Sequence, residues 1–441
     1  MNFIIKNVEK HRQIILDAER YIWAHPETGY KEFETSNYMA EQFIKFGYNL
    51  TYADGITGFY TDIDTGRNGP KVLILAELDS VICPEHKDSN PVTGAVHACG
   101  HNAQCAAMVG IAGALKEPNA LNDLCGSIRL CVVPAEELLE IEFRRSLKAK
   151  GIIKYFGGKS EFLYRGYFDG VDIAFMVHSS SSFCALSGAV GCVAKNITYK
   201  GLAAHAGGSP NRGINALYAA TNGLNAVNAL RETFKENDYI RFHPIVTKGG
   251  EMVNAIPETV NIESYVRGAW FDAISRENKK VNRALIGGAL SIGANVEIVD
   301  VPGYAPLKND KNMIDVAKEA YELMFNEDFK VYSDISTGST DMGDISLIMP
   351  VIHPYCGGAK GKGHGNDYEI YDPEQACVKS ASWQVGMLFV LLSNNGERGY
   401  KVISEYKPTF ASKEEFLKFQ DSLNDSGDRI IYTENSAQIR L

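Results

Sequence analysis

The sequence lacks three features, each of which would point to a broad class of protein. It has no run of about eighteen uncharged apolar residues, which argues against a transmembrane helix. Positive charge is in deficit, with 44 Lys and Arg against 54 Asp and Glu. This deficit argues against nucleic acid as a partner, because non-specific binding needs cations that neutralise phosphates. The cysteines are nine, an odd number scattered along the chain, which is not the pattern of a disulfide framework.

What is present is typical of a globular protein with a sizeable core. The chain is 45% hydrophobic and 22% charged over 441 residues. At about 150 residues per domain, this length predicts two or three domains. The first residues, MNFIIKNVEKHRQ, become charged too early for a secretory signal. We therefore expect a cytoplasmic protein without a membrane partner.

Short β-rich apolar runs alternate with helical patterns in the first part of the chain. The runs cover residues 71–78, 127–133 and 171–178, and helical patterns cover 9–24 and 103–116. This alternation predicts an α/β fold with a parallel sheet. A basic, aromatic-rich segment at 142–168 interrupts the pattern and is interpreted as an insertion within 138–170.

From about residue 190 the pattern changes to βαββαβ, which is the ferredoxin-like order. Helix and short strands resume after residue 307, so the second domain interrupts the first. We predict a discontinuous α/β domain, a smaller domain inserted into it, and a C-terminal extension. Their ranges are 1–189 with 307–394, then 190–306, then 395–441.

Polar residues follow the predicted strands where ligands of open parallel sheets bind. Glu77 and Asp79 follow the first strand, and the second leads into Glu136-Glu137. His178 closes the third strand. The motif HACGHN at 97–102 directly precedes an apolar helix, so its side chains should lie near the same edge. The sequence therefore predicts one cluster of ionisable side chains at this edge.

The residue types in this cluster favour a metal site. Cys99 and His101, separated by a glycine, can coordinate one divalent ion. A nucleophilic Cys–His pair is the alternative, although the neighbouring carboxylates favour the metal interpretation. Of two adjacent glutamates leaving a strand, one can bind metal while the other takes a proton from water.

A series of motifs in fixed order resembles the M20 metallopeptidase family. The series is HPETGYKEFET (25–35), ILAELD (74–79), HACGHN (97–102), PAEE (134–137), VDIAFMVH (171–178), GLAAHAGGSPNRGINAL (201–217), GGEMVNAIPE (249–258), STGSTDMGDIS (336–346) and GKGHG (361–365). The resemblance is to its amidohydrolase branch of aminoacylases, auxin-conjugate hydrolases and aminobenzoyl-glutamate hydrolases. STDMGDIS and Asn102 are most similar to the aminobenzoyl-glutamate utilisation B type.

The resemblance implies a fold, a ligand set and a dimer. The fold would be a phosphorylase/hydrolase-like di-metal catalytic domain with an inserted ferredoxin-like lid that dimerises. The implied metal ligands are Cys99, His101, Glu137, His178 and His364. Glu136 would be the general base, and His205 would reach the partner subunit's site and stabilise an oxyanion. The implied substrate-binding residues are Asn254 and Arg267.

Some positions depart from the family pattern. Many relatives have aspartate and histidine where this chain has Asn102 and Gln104. Glu77 stands where peptidases outside this branch place a metal histidine, and in this branch Cys99 replaces that ligand. Asp79 is accordingly expected to contact the metal ligands and not the metal ions themselves.

The expected activity is hydrolysis of the amide bond of an N-acyl amino acid or dipeptide-like substrate, such as aminobenzoyl-glutamate. Two divalent ions are the expected cofactors. One thiolate and three imidazoles favour zinc, with manganese or cobalt as alternatives. A metal-independent thiol hydrolase acting through Cys99 and a non-catalytic ligand-binding protein are the rival hypotheses. The intact glutamate pair and ligand set favour catalysis.

Overall fold

The computed structural model describes residues 2–441. The chain folds as two compact units. The first unit contains residues 2–188, Leu307–Ser336 and Thr340–Lys413, and the second contains Ala189–Pro306, Thr337–Ser339 and Glu414–Leu441. Residues 395–441, predicted as one C-terminal extension, are divided between the two units, because residues 414–441 pack with the second.

The first unit is built on a six-stranded sheet. Its strands, in spatial order, are Thr51–Tyr52, Phe59–Asp64, Ser127–Val133, Lys71–Glu77, Ile173–Phe175 and Val351–Ile352. The last four are mutually parallel, whereas Phe59–Asp64 runs antiparallel to its neighbour. The strand Lys71–Glu77 is buried from Val72 onward. Such continuous apolar burial is typical of a parallel strand covered on both faces.

Helices surround this sheet. They are Asn2–Glu9, Arg12–Ala24, Phe33–Lys45, His101–Lys116, Ile141–Ala149, Gly158–Tyr164, Lys311–Phe325, Met342–Ile345, Ser380–Leu392 and Glu397–Glu405. The helix His101–Lys116 is buried from His101 to Leu115, so it forms the centre of the core. Within residues 2–441 no single helix is long and apolar enough to cross a membrane. One bent pair, Glu374–Leu392 with Asn394–Glu405, meets the criteria of length and composition alone.

Three details differ from the sequence prediction. The helix predicted over 9–24 begins at Arg12, after a separate helix Asn2–Glu9. The strand predicted over 171–178 ends at Phe175, and His178 begins a separate short strand. The insertion, left without a predicted structure, contains the helices Ile141–Ala149 and Gly158–Tyr164.

The second unit has the predicted ferredoxin-like order. Its sheet runs Arg241–Phe242, Thr259–Gly268, Gly191–Lys200, Asn295–Pro302, with Ile245–Lys248 also paired to the second of these. The helices Ala216–Leu230 and Phe271–Leu290 complete the βαββαβ unit. Every second residue of Thr259–Gly268 is buried, because only one face of this antiparallel sheet is covered.

Short elements connect these frameworks. The further strands are Val81–Ile82, Ala95–Val96, His178–Ser179, Cys184–Ala185, Gly188–Ala189, Leu307–Lys308, Lys330–Val331, Ile335–Ser336, Tyr355–Cys356, Ala359–Lys360, Glu369–Ile370, Ile430–Tyr432 and Ala437–Ile439. The further helical segments are Pro210–Arg212, Arg231–Thr233, Glu236–Asp238, Glu374–Lys379, Asn394–Gly396 and Lys413–Ser422. The short strands after residue 307 agree with the prediction for that part of the chain.

Candidate metal centre and active site

The four parallel strands of the first unit are neighbours, so their carboxyl ends meet at one edge of the sheet. Each strand is followed there by ionisable side chains. In sheet order, these are Glu136 with Glu137, Glu77 with Asp79, His178, and His353. The fold therefore collects at one place the side chains that the sequence predicts after three strands, and adds a histidine after the fourth.

Two groups of predicted metal ligands come together at this edge, and Cys99 belongs to both. The ligand atoms of Cys99, His101 and His178 all lie within 4.8 Å of one another. Those of Cys99, Glu137 and His364 satisfy the same limit. Cys99 Sγ is 3.4 Å from His178 Nε2, and His364 Nε2 is 3.0 Å from Glu137 Oε1. The other four predicted ligands thus lie around the Cys99 thiol.

Buried polar atoms without partners test whether these residues fit a metal ion. Among residues 2–441, His101 Nε2 and Glu137 Oε1 are buried and make no well-formed hydrogen bond, although Glu137 Oε1 lies 3.0 Å from His364 Nε2. His101 Nε2 lies 3.1 Å from Glu77 Oε2 without forming a hydrogen bond to it. Thiolate, imidazole and carboxylate are the ligands that zinc and related ions take in proteins. The residues present therefore fit a divalent metal centre.

Asp79 supports two of the candidate ligands. His101 Nδ1 donates a hydrogen bond to the Asp79 backbone oxygen at 2.8 Å and lies 3.3 Å from its carboxylate Oδ1. A proton held on Nδ1 leaves the lone pair of Nε2 available for a metal ion. Asp79 Oδ2 also accepts a hydrogen bond from the Glu137 backbone N–H at 2.8 Å.

Charges within the cluster favour the anionic form of the candidate ligands. Burial and Glu137 raise the pKa of the Cys99 thiol, but His101 and His178 outweigh them and lower it to about 6. Burial also opposes ionisation of Glu137, yet the adjacent His364 lowers the pKa of this carboxyl to about 2. The Glu137 carboxylate in turn raises the pKa of His364 to about 11, so a metal ion would displace a proton there.

Glu136 differs from its neighbour Glu137 in proton affinity. Burial first, and then the charges of Glu77 and Glu137, raise the pKa of Glu136 well above its ordinary value. A carboxyl with a raised proton affinity is suited to general acid–base catalysis. The environment thus divides the two adjacent glutamates into one that stays ionised and one that can hold a proton.

The segment 138–170 holds the loop that carries these glutamates. Arg144, which is fully buried, donates hydrogen bonds to the backbone oxygens of Ala135 and Glu137. Ala135 has a positive φ of 58°, which is uncommon for a residue with a Cβ. A Cβ at Gly158 would lie 1.6 Å from a backbone oxygen of the same loop. The insertion therefore closes tightly over this strained turn.

The same segment buries a lysine beside the candidate ligands. Lys159 Nζ forms ion pairs with Glu77 and Asp341, and all three side chains are buried. Burial opposes the charge on Lys159, but these two carboxylates raise its pKa above the usual range. Gln104 Nε2 donates to the other carboxylate oxygen of Glu77 at 2.9 Å. Glu77 and Gln104, which depart from the family pattern, are therefore direct neighbours.

Sequence reasoning missed His353, Lys159 and Arg144. His353 is buried, its ring centroid lies 5.6 Å from that of His178, and burial first lowers its pKa to about 3. Within residues 2–441 neither of its ring nitrogens has a hydrogen-bond partner. The local sequence signal for His353 is the apolar pair directly before it, and a similar pair precedes His178. The preceding strand is only two residues long, too short to show periodicity.

In the second unit, two predicted lid residues lie side by side. His205 pairs with Ala255 in an antiparallel bridge, and the Ala206 N–H donates to the Asn254 backbone oxygen at 2.9 Å. The Gly208 N–H donates to His205 Nδ1 at 2.9 Å. A ring nitrogen that accepts a hydrogen bond carries no proton, so the neutral ring carries its proton on Nε2. The exposed His205 ring therefore offers a hydrogen-bond donor.

Arg267 lies on the strand Thr259–Gly268 of the second unit and is half-buried. Its guanidinium is 5.4 Å from the Tyr265 ring centroid, and Nη1 is 3.5 Å from Ser339 Oγ. In the described part of the chain, its buried Nε has no hydrogen-bond partner. A buried guanidinium nitrogen without an acceptor is suited to an anionic group such as a carboxylate.

Solved structures share this fold. A dinuclear metal-binding peptidase of the M20 family from Bacillus subtilis matches with a TM-score of 0.64 and 20% identity, over 87% of this chain and 99% of that one. The aminobenzoyl-glutamate utilization protein from Klebsiella pneumoniae matches with a TM-score of 0.66 and 16% identity, over 89% and 99%. The expected fold, a catalytic α/β domain with an inserted ferredoxin-like domain, is thereby confirmed.

Sequence similarity to known proteins also extends along most of the chain. The Xaa-Arg dipeptidase of Mus musculus is 28% identical over 353 residues, which cover 76% of this chain and 74% of that protein. The profile of Peptidase family M20/M25/M40 matches residues 73–388, a range that contains every candidate site residue described above. The chain therefore belongs to Peptidase family M20/M25/M40 and is a hydrolase of that family.

Proposed function

We propose that this protein is a metal-dependent amidohydrolase that cleaves the amide bond of an N-acyl amino acid or a dipeptide-like substrate. The observation that carries this proposal is the pair of ligand groups that share Cys99. Beside them, the ligand atoms of Glu136 and His101 lie within 4.8 Å of each other. Two divalent ions fit these groups. The thiolate and three imidazoles favour zinc, with manganese or cobalt as alternatives.

The side chains divide the chemistry among them. Divalent ions held by the two ligand groups would supply Lewis acidity, which polarises the scissile carbonyl and lowers the pKa of water to about 7. Glu136 accepts the proton of the attacking water at a carboxylate oxygen, as its raised proton affinity allows. His205 donates its Nε2 hydrogen to the carbonyl oxygen as negative charge develops there. Glu136 then delivers its proton to the leaving amine as the C–N bond breaks.

Charge and the relatives support this substrate class. An arginine nitrogen without an acceptor, on Arg267, suits the carboxylate of an amino-acid product, and we expect Asn254, which lies beside His205, to contact the substrate. Two relatives are named for substrates with this chemistry, an Xaa-Arg dipeptide and aminobenzoyl-glutamate. Both substrates join an acyl group to an amino acid through a linear amide.

A panel of acyl-amino acids and dipeptides, incubated with the zinc-, manganese- or cobalt-loaded protein, tests the proposal. We expect turnover of at least one compound with a free carboxylate next to the amide, and loss of that turnover on chelation. A thiol hydrolase acting through Cys99 would keep its activity after chelation and lose it on alkylation of the metal-free protein. Absence of turnover for every compound and metal would favour a ligand-binding protein instead.

We further infer that the active form is a homodimer in which His205 of the partner subunit completes each site. Inactive His205→Ala and Glu136→Ala proteins, mixed under conditions that exchange subunits, should then regain up to about a quarter of the activity, because random pairing gives mixed dimers with one intact site. The control is the His205→Ala protein alone, taken through the same exchange procedure, which should stay inactive. Verified subunit exchange without recovery would contradict the shared site.

A further inference from the structure

Glu77 lies where it could itself bind a metal ion. The ligand atoms of Glu77, His101 and Glu136 lie within 4.8 Å of one another, and all three residues are buried. A carboxylate oxygen is an acceptable ligand for the same divalent ions as the imidazole beside it. If Glu77 bound the ion held by His101, it would compete with Cys99 and would change the coordination number. Coordination by Cys99 therefore requires that other residues bind the Glu77 carboxylate and keep it from the ion.

Both oxygens of the Glu77 carboxylate are already engaged. Lys159 Nζ pairs with Oε1, and Gln104 Nε2 donates to Oε2 at 2.9 Å. Gln104 Oε1 also accepts the Glu77 backbone N–H at 3.2 Å, which fixes the two residues against each other. These contacts hold the carboxylate against a cation of the chain and an amide, although Oε2 also lies 3.1 Å from His101 Nε2.

Lys159 is itself fixed from a second side. Its ammonium pairs with Asp341 Oδ1, and its backbone N–H donates to Asp341 Oδ2 at 2.9 Å. Its side chain is fully buried, so an exchange of partners with water is not available to it. Removing one partner of such a buried pair leaves an uncompensated charge, which is strongly unfavourable.

We propose that Lys159 is a positioning residue that keeps the Glu77 carboxylate out of the metal coordination sphere. The ions are thereby left to the two groups that share Cys99. This inference rests on the proposed function, since it presupposes the metal centre. The proposal also assigns a function to the insertion 138–170, because Lys159 belongs to this segment and not to the motifs of the catalytic domain.

Visible absorption of the cobalt-loaded protein tests the proposal, because the spectrum reports coordination number and thiolate ligation. The single variant Lys159→Met leaves two buried carboxylates unpaired and could unfold. Two double variants avoid this. Lys159→Met with Asp341→Asn leaves the Glu77 carboxylate without its cation, whereas Lys159→Met with Glu77→Gln removes that carboxylate. Lys154→Met, a change in the same segment at a lysine that lies over Tyr155 and Tyr164, is the matched control.

We expect the Lys159→Met/Asp341→Asn protein to lose intensity in the visible cobalt bands as an oxygen ligand is added. The Lys159→Met/Glu77→Gln and Lys154→Met proteins should keep the spectrum of the unsubstituted protein. Identical spectra for the two double variants would overturn the proposal, because a residue that only balances charge affects both alike.

The single variant Glu77→Gln decides the matter independently of how the double variants fold, since it leaves Lys159 paired with Asp341. We expect it to bind two cobalt ions with an unchanged spectrum. A changed spectrum or the loss of an ion would show that Glu77 is itself a ligand and would overturn the proposal. If the unsubstituted protein bound no cobalt, the proposed function would fail first, which distinguishes the two failures.

Discussion

Each of the two units buries one lysine, and these are the two buried lysines of residues 2–441. Lys159, in the first unit, pairs with two carboxylates, those of Glu77 and Asp341. Lys195, in the second unit, pairs with one carboxylate, that of Asp300, and donates to Asn278 Oδ1 at 2.9 Å. Burial opposes the charge in both cases, but the pKa of Lys159 is raised and that of Lys195 is lowered.

The difference distinguishes the charged cluster around Lys159 from the neutralised cluster around Lys195. The second oxygen of Asp300 accepts hydrogen bonds from Asn278 at 2.8 Å and Asn282 at 3.0 Å, so amides complete this cluster. Lys159 lies instead between two carboxylates, so that negative charge exceeds positive charge, and one of them, Glu77, is next to the candidate metal ligand His101. Surplus negative charge without enough amides or cations is what a site for divalent ions requires. The first cluster is therefore expected to govern activity, and the second to govern stability.

The largest expected effect is that of Glu136→Gln in the first unit. Losing the general base should lower kcat by roughly 10²–10⁴-fold, while the metal content stays unchanged because Glu136 is not in the proposed ligand set. Steady-state kinetics and metal analysis on the same sample measure both. Glu142→Gln, at an exposed glutamate six residues along, is the control. A kcat for Glu136→Gln within a few-fold of the control would contradict the assignment.

In the second unit, Lys195→Met should act on stability alone. It leaves the Asp300 carboxylate buried without its cation, which costs about 3–5 kcal/mol in the free energy of unfolding. Denaturant titration measures this loss, and kcat per folded molecule should stay near that of the unsubstituted protein. Adding Asp300→Asn removes the orphaned charge and should recover most of the stability. If Lys195→Met lowered kcat as Glu136→Gln does, the contrast between the units would be lost.

Metal removal should loosen the first unit and leave the second unchanged. An ion bound at 100 times its Kd stabilises the folded state by about 2.7 kcal/mol. Hydrogen exchange of the chelated and zinc-loaded proteins should differ in the segments around Cys99, Glu137 and His178. Peptides from the strand Thr259–Gly268 serve as the internal control. Equal protection of all these segments in the two forms would argue against a metal centre in the first unit.

The smallest effect is expected on acidification. Burial opposes ionisation of Asp300, but Lys195 lowers the pKa of this carboxyl below its ordinary 3.8. A lowered pKa contributes stability that is present above the unfolded value and is lost as the pH falls through the folded value. The unfolding free energy of the unsubstituted protein should therefore approach that of Lys195→Met/Asp300→Asn below about pH 4. A constant difference from pH 6 to pH 3 would contradict this.

Much of the fold was predictable because its framework is local in sequence. The run 127–133 forms a strand with the predicted bounds, and the run 71–78 ends one residue early at Glu77. The βαββαβ order of the second unit follows from strands and helices long enough to show their periods. The division of 395–441 could not be predicted in this way. Asp425 and Asp428 form their bridges with Asp300 and Glu297, more than a hundred residues earlier.

The candidate site was predictable where ligands follow long strands, and it was missed where contacts span the chain. Cys99, Glu137 and His178 lie together because two strands end and one helix begins at this edge of the sheet, a rule that can be applied to the sequence. Lys159 meets Glu77 across 82 residues and Asp341 across 182. No local pattern marks a lysine in a basic segment as buried, so this part of the site emerges only from the tertiary fold.

The proposed metal centre consists of two ligand groups that share the Cys99 thiol. Counting the zinc ions bound per chain, in the unsubstituted protein and in three alanine variants, tests this claim. We predict two ions for the unsubstituted chain, one each for His178→Ala and His364→Ala, and loss of both for Cys99→Ala at the same zinc concentration. A Cys99→Ala protein that kept both ions, or an unsubstituted protein that bound none, would contradict it.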